Sequence, residues 1–302
     1  MTGLQVSNLT KSFGGIVALD GVTFGVNPGE IVGLIGPNGA GKTTVFNCIS
    51  RLYDADRGSI KFDDHELVRL SAPEVVHVGI ARTFQNVELF RTMSVLDNLL
   101  VGQHHRLGPT WARQPVEELR HTAGDLMRAG VDVVEMGRFI LGAGMRAARG
   151  VWRTVPFVGE ALVYGIHPPS IVKEDRLARD RAMDILNFLG LGPYAEVPAG
   201  GLSFGIQKRV ELARALVANP RLILLDEPAG GLSHQELSQL GDVIRRIRDE
   251  LRMTVLVVEH HMELIMSISD RVCVLNFGRK IAEGTPAEVS KDPQVIEAYL
   301  GE

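Results

Sequence analysis

Short, uninterrupted apolar runs recur along this chain, each bounded by glycine, proline or acidic residues. "IVGLIG" from Ile31, "LILLDEP" from Leu222 and "TVLVVEHH" from Thr254 are of this kind. Continuous apolarity suits strands covered on both faces, as in a parallel sheet. Segments with helical spacing lie between and around them: "KTTVFNCIS", "SVLDNLLVGQHH", "RAMDILNFLG", "VELARALVANP" and "HQELSQLGDVIRRIRDE". Strands alternating with helices predict an α/β fold. Ahead of the first run, "LQVSNLT" and "GVTFGV" followed by the turn "NPGE" read as short strands. "RLYDADRGSIKFDD" reads as a turn entering an edge strand, and "RVCVLNFGRKIAEG" as a closing strand pair. No internal repeat is visible, and the stretch from about Arg106 to Arg181 differs in composition from its flanks.

Composition narrows the class. With 302 residues, 45% apolar and 23% charged, the chain has the makeup of a folded globular protein. Its formal net charge of −4 gives no broad electrostatic reason to bind nucleic acid. Cys48 and Cys273 are far apart and lack metal-ligand spacing, which predicts reduced thiols in a cytosolic setting. The opening "MTGLQVSNLTKSFGG" has no basic segment followed by a long apolar run, so no secretory signal is expected. The apolar runs fall well short of the roughly 20 residues a membrane helix requires.

The chemistry concentrates in a few motifs. "GPNGAGKTT" comprises Gly36, Pro37, Asn38, Gly39, Ala40, Gly41, Lys42, Thr43 and Thr44, placed after a strand and before a helix. Glycines let such a loop turn its N–H groups inward on phosphates, a lysine adds a point charge, and a threonine hydroxyl reaches Mg²⁺. A nucleoside triphosphate is the expected ligand. "LILLDEP" delivers Asp226 and Glu227 to a strand's C-terminal end, where open α/β sheets bind ligands. Asp226 is the expected metal ligand, and Glu227 the group that orients and deprotonates a water attacking the γ-phosphate. "VLVVEHH" brings His260 to the end of another strand. "LSFGIQKR" starts a helix with Ser203 and Gly205, which suits either an ordinary N-cap or an anion seat.

Taken in order, "GPNGAGKTT", "RTFQ", "LSFGIQKR", "LILLDEP" and "VVEHH" resemble the nucleotide-binding subunit of an ATP-binding cassette (ABC) transporter. "FGGIVALDGV", "ARTFQNVELFRTMSVLDNLLVGQH" and the tail "GTPAEVSKDPQVIEAYLGE" are similar to the ATPase subunits of branched-chain amino acid importers. The resemblance implies one P-loop NTPase domain over 1–302, with a RecA-like core, an N-terminal antiparallel β subdomain and a helical subdomain over about 86–215. It implies an ATPase using ATP and Mg²⁺, peripheral on the cytoplasmic face of the membrane through separate permease subunits. A substrate-binding protein would be an indirect partner. Related tails in lipid or lipopolysaccharide exporters, and soluble ABC ATPases that act outside transport, are the alternative readings.

By the same resemblance two cassettes pair head to tail, as two copies or as this chain with a related ATPase. Ser203 and Gly205 of one then face ATP on the phosphate loop of the other. Phe13 would stack on adenine, Gln85 would sense metal and attacking water, and His260 would contact the γ-phosphate. The chain departs from the common pattern at four positions. Phe204 replaces a glycine, Ile206 a glutamine that reaches across the dimer, and Ser233 and His261 each an aspartate. Ile206 predicts weakened contacts across the pair, with Gln207 turned about 100° away on the helix.

Against that family the segment from Arg106 to Arg181 is longer by about 40 to 50 residues, a length that ordinarily contains structure. Read as one helix, Val133 to Arg153 places Arg138, Arg146, Arg149 and Arg153 on one side and an apolar face opposite. That surface suits anionic headgroups or an acidic partner; equally, it suits a hairpin packed on its own domain with solvated arginines.

Overall fold

The computed structural model describes residues 3–103 and 169–300. The extra segment's expected basic helix, Val133 to Arg153, lies outside the described residues. Among the described residues no helix is long and apolar enough to cross a membrane.

Two sheets organise these residues. The first is antiparallel, ordered β2-β1-β4-β5, from β1 (Leu4–Phe13), β2 (Ile16–Val26), β4 (Arg57–Phe62) and the two-residue β5 (His65–Glu66). The strand expected at an edge, β4, is therefore interior: β1 pairs with one side of it and β5 with the other. The second sheet contains β3 (Ile31–Ile35), β6 (Ile80–Arg82), β7 (Leu222–Asp226), β8 (Thr254–Val258), β9 (Arg271–Asn276) and β10 (Arg279–Gly284). Its order is β10-β9-β3-β8-β7-β6, parallel throughout except for β10.

The apolar runs earn their continuity by serving two cores. Val32, Leu34, Leu222, Leu224, Leu256 and Val258 pack on one face with Val45, Phe46 and Ile49 of α1 (Lys42–Ile49) and with Leu4, Val6 and Phe24 of the antiparallel sheet. Their alternates Ile31, Ile35, Ile223, Leu225, Val255 and Val257 pack on the other face. There they meet Val210 and Leu216 of α5 (Phe204–Leu216), Ile244 and Ile247 of α6 (His234–Leu251), and Ile265 of α7 (Met262–Ile268). A period of two along every strand thus feeds both layers.

The short helices α2 (Ala72–His77) and α3 (Val95–Gly102) follow β5 and β6 in the chain, and α4 (Pro169–Phe188) extends the expected "RAMDILNFLG" helix toward its N-terminus. The parallel strands end together, so the loops after β3, β7 and β8 share one edge of the sheet. Register fixes this: Leu34 pairs with Val258, and Val258 with Asp226.

Candidate active site

The loop after β3 is shaped by positions that exclude a side chain. A Cβ on Gly36 would stand 2.1 Å from the Leu275 carbonyl oxygen, and one on Gly41, at φ 98°, 2.7 Å from the Ala18 carbonyl oxygen. Gly41 is also the N-cap of α1, which has no side-chain cap and no acidic residue in its first turn. The positive end of the helix dipole is therefore left to face the loop. Lys42 is buried at the loop's centre, its ammonium donating to the carbonyls of Gly36 at 2.6 Å and Pro37 at 2.9 Å. Thr43, Asn38 and Gly39 are exposed on the loop's open side.

Three sequence-predicted residues meet beside this loop. Glu227 follows β7 with φ 45°, a left-handed conformation that is strained for a residue with a Cβ. Its N–H donates to the Val258 carbonyl at 2.9 Å, which holds that conformation. Its carboxylate Oε2 accepts a hydrogen bond from Gln85 Nε2 at 2.7 Å and lies 3.8 Å from His260 Nδ1. His260 is half exposed and Glu227 largely sheltered, so the histidine reaches outward and the carboxylate inward.

Asp226 is buried and its Oδ2 is held by Arg82 Nη2 at 2.6 Å. The same guanidinium donates through Nη1 to Asn47 of α1 and to Ser50 just beyond its end, both at 2.8 Å, and lies over the rings of Phe46 and Phe84. A guanidinium thus already attracts the carboxylate expected to hold a metal. Thr43, Asp226 and Gln85 offer only oxygen donors toward a metal, the set a hard cation such as Mg²⁺ prefers, so these residues fit it. Arg82 was not singled out from sequence, since its partners are 32 to 144 positions away.

Ser203 behaves unlike an ordinary cap. Ser203 occupies the N-cap position of α5, yet no helix N–H donates to its hydroxyl, which is exposed. Ser233, at the start of α6, accepts through its hydroxyl from the Glu236 N–H, and its own N–H donates back to the Glu236 carboxylate, a complete capping box. Gly205 lies close against the Glu236 side chain, and a Cβ there would stand 2.2 Å from Glu236 Oε1 and make that carboxylate shift. Phe204 finds a flat seat on Gly231, where a Cβ would come within 2.9 Å of its ring. Gln207 is buried and donates to the Leu202 carbonyl at 2.7 Å, turned back into its own chain, while Ile206 packs against the apolar core.

A ladder of side chains at a spacing of three ties α5 to the segment carrying Gln85. Lys208 donates to the Gln85 carbonyl, Glu211 accepts from the Phe84 N–H at 3.3 Å, and Arg214 donates to the Glu88 carbonyl. Burial pushes the Glu211 carboxyl up from its ordinary range, with Lys208 opposing that shift. Sequence spacing hinted at one helical face, but the partners lie more than 120 positions away. Phe13 is 41% exposed and touches Tyr53 edge-on at 5.1 Å, so it is a rim residue rather than core.

Comparison with known proteins decides the family. The ABC transporter family model matches residues 19–230. This chain belongs to the ABC transporter family. A second model, the branched-chain amino acid ATP-binding cassette transporter, matches residues 279–302. The high-affinity branched-chain amino acid transport ATP-binding protein LivG of Escherichia coli is 38% identical over 299 residues, covering 99% of this chain and 98% of LivG. BraF of Pseudomonas aeruginosa, described in the same words, is 36% identical over 299 residues, with the same coverage. The ADP conformation of MJ1267, an ATP-binding cassette of an ABC transporter, superposes with a TM-score of 0.72 at 29% identity, covering 100% of both chains. A nucleotide-free ATP-binding cassette from an ABC transporter gives 0.71 at 30% identity, again over 100% of both.

The fold read from the strand–helix alternation and the resemblance is thus that of an ABC ATPase, with its mixed parallel sheet and antiparallel β subdomain. Within this ABC cassette, Gln85, Glu227 and His260 converge, Lys42 opens α1, and Asp226 is linked through Arg82 to the C-terminal end of α1. Ser203 and Gly205 lie at the start of α5, where Gly205 packs near Glu236 and Phe204 against Gly231. Cys48 and Cys273 are both buried free thiols; burial pushes them up to about 11 and about 12, which keeps them protonated and inert at neutral pH.

Proposed function

We propose that this cassette binds and hydrolyses ATP to energise import of branched-chain or other amino acids through separate permease subunits. It works as a single domain over 1–302, peripheral on the cytoplasmic face of the membrane. The observation that carries the catalytic reading is the convergence of Gln85, Glu227 and His260, with the Gln85 amide 2.7 Å from the Glu227 carboxylate.

Lys42 exchanges its bonds to the Gly36 and Pro37 carbonyls for the outer phosphates, while the loop N–H groups and the α1 N-terminus hold the rest of the triphosphate. Mg²⁺, held by Thr43, Asp226 and Gln85, would neutralise charge on the phosphates. Phe13 presents its ring to adenine. Glu227 orients a water and takes its proton as that water attacks the γ-phosphate, and His260 contacts the γ-phosphate from the far side of the same carboxylate. The Gln85 amide, bonded to Glu227, links the base to the segment that reports to the permease.

Ser203 and Gly205 complete the site of a second cassette, either another copy or a related ATPase. The unspent Ser203 hydroxyl supports this reading, and Ile206 weakens the contact where glutamine would bond across. ATP then drives closure because the closed pair binds it better than the open one. A substrate-binding protein acts upstream of the permease, and nucleic acid has no part. The tail match over 279–302 favours amino acid import over lipid export.

Affinity purification of the full chain from native membranes in mild detergent, with mass identification of what remains bound, tests this assignment. Two permease-like subunits are expected. Ribosomes, DNA-repair proteins or lipid-export components in their place would overturn the transport assignment.

A further inference from the structure

Glu259 closes β8 one residue beyond Val258 and is fully buried, with 0% of its surface exposed. Burying a carboxylate is strongly unfavourable unless hydrogen bonds replace its water. Here its two oxygens serve two different loops. Oε1 accepts from the Ala229 N–H at 2.6 Å, in the loop that begins with Glu227. Oε2 accepts from the N–H groups of His260 at 3.0 Å and His261 at 3.3 Å. The same Oε2 lies 3.8 Å from His260 Nδ1, which is itself 3.8 Å from the Glu227 carboxylate.

We propose that Glu259 is a positioning residue for hydrolysis, a carboxylate strut that fixes the Glu227 loop to the His260 loop so that both arrive at the γ-phosphate as one unit. The proposal rests on the roles given above to Glu227 and His260. The residue type follows from the hydrogen-bond count. A carboxylate offers two acceptor oxygens and no donor, so it can face N–H groups on both sides at once. A glutamine of the same shape keeps one acceptor and turns an NH₂ toward the other loop, where only N–H donors await. Charge also strengthens each bond relative to a neutral acceptor. Among the described residues the two loops are also linked by the His260 Nδ1 contact to the Glu227 carboxylate and, backbone to backbone, by the Glu227 N–H donating to the Val258 carbonyl. The backbone tie fixes Glu227 itself, and the His260 contact joins only side chains, so the backbone on the histidine side is held by Glu259.

The test is a double-variant cycle on the full chain in its purified transporter complex. It reads kcat, KM for ATP, affinity for a fluorescent ATP analogue and melting temperature. Glu259→Gln is expected to lower kcat about 10- to 100-fold, the scale of a small misplacement of reacting groups, with KM and nucleotide affinity within about twofold. In a His260→Ala background the same change should lower kcat by less than about threefold, because the loop it positions has lost its functional group. A kcat within about twofold of the unaltered complex, an equal fold-loss in both backgrounds, or an affinity loss in step with kcat would each overturn the proposal.

Glu227→Gln measured alongside keeps the two readings apart. Undiminished turnover there removes the base assignment, whereas the cycle reports on the strut alone. Should Glu259→Gln fail to accumulate as folded protein, amide exchange in the unaltered chain decides. Protection of Ala229 and His260 lost in a single opening step supports the strut, and independent exchange of the two amides overturns it.

Discussion

The edge of the parallel sheet and the start of α5 both carry motifs for the same nucleotide, yet they are finished to different degrees. At the sheet edge the main charged groups have partners within the chain. Lys42 is held by loop carbonyls, Asp226 by Arg82, and Glu227 by Gln85. At α5 the supporting groups are built in, with Gly205 against Glu236 and Phe204 on Gly231, but Ser203 is exposed and its hydroxyl does not cap its helix. Ser233 starts the neighbouring α6 and is fully engaged in a capping box. The contrast teaches that the first region is set up to do chemistry and the second to be presented to something else. A serine that only stabilised its helix would look like Ser233.

The largest way to break this comparison is to disable the sheet edge. Glu227→Gln should lower ATP turnover by about 10² to 10⁴-fold while leaving nucleotide binding intact, measured by phosphate release and by equilibrium binding. Arg82→Met leaves Asp226 buried without its cation. It should destabilise the fold by about 3–5 kcal/mol, seen as a melting temperature lower by roughly 5–15 °C. If that variant melts normally, the pair is not what orders the Asp226 side of the site. Ser233→Ala removes a working cap and should cost about 1 kcal/mol, a shift of roughly 2–4 °C in melting temperature. Ile206→Gln restores a group able to bond across a cassette pair. A rise of a few-fold in ATP affinity or turnover is expected, on the scale of one added hydrogen bond, and unchanged values would show that Ile206 does not weaken the contact. At the smallest end, neither cysteine should react with a maleimide at neutral pH until the chain is unfolded, as their raised pKa values and burial require.

Much of the sheet edge was legible in the sequence because it is written in local signals. Continuous apolar runs mark strands buried on both faces, and a glycine-rich loop between strand and helix marks the phosphate seat. Asp226, Glu227 and His260 stand directly after such runs, so their shared edge follows from parallel topology. What sequence did not show acts across distance. Glu259 reaches 30 positions back to Ala229, and Arg82 reaches 144 forward to Asp226. Lys208, Glu211 and Arg214 find the backbone near Gln85 only once α5 has docked. The position of β4 was misread for a related reason. A two-residue strand such as β5 leaves almost no periodic signal, so the strand inside it looks like an edge.

The most direct test of the contrast between the two regions is Ser203→Ala, with turnover at saturating ATP and melting temperature measured on the same purified complex. The account predicts turnover lower by about tenfold or more, as for loss of a group that contacts phosphate in the transition state, with an unchanged melting temperature. A lower melting temperature, of the size Ser233→Ala produces, with turnover per folded molecule unchanged would contradict it and make Ser203 an ordinary cap.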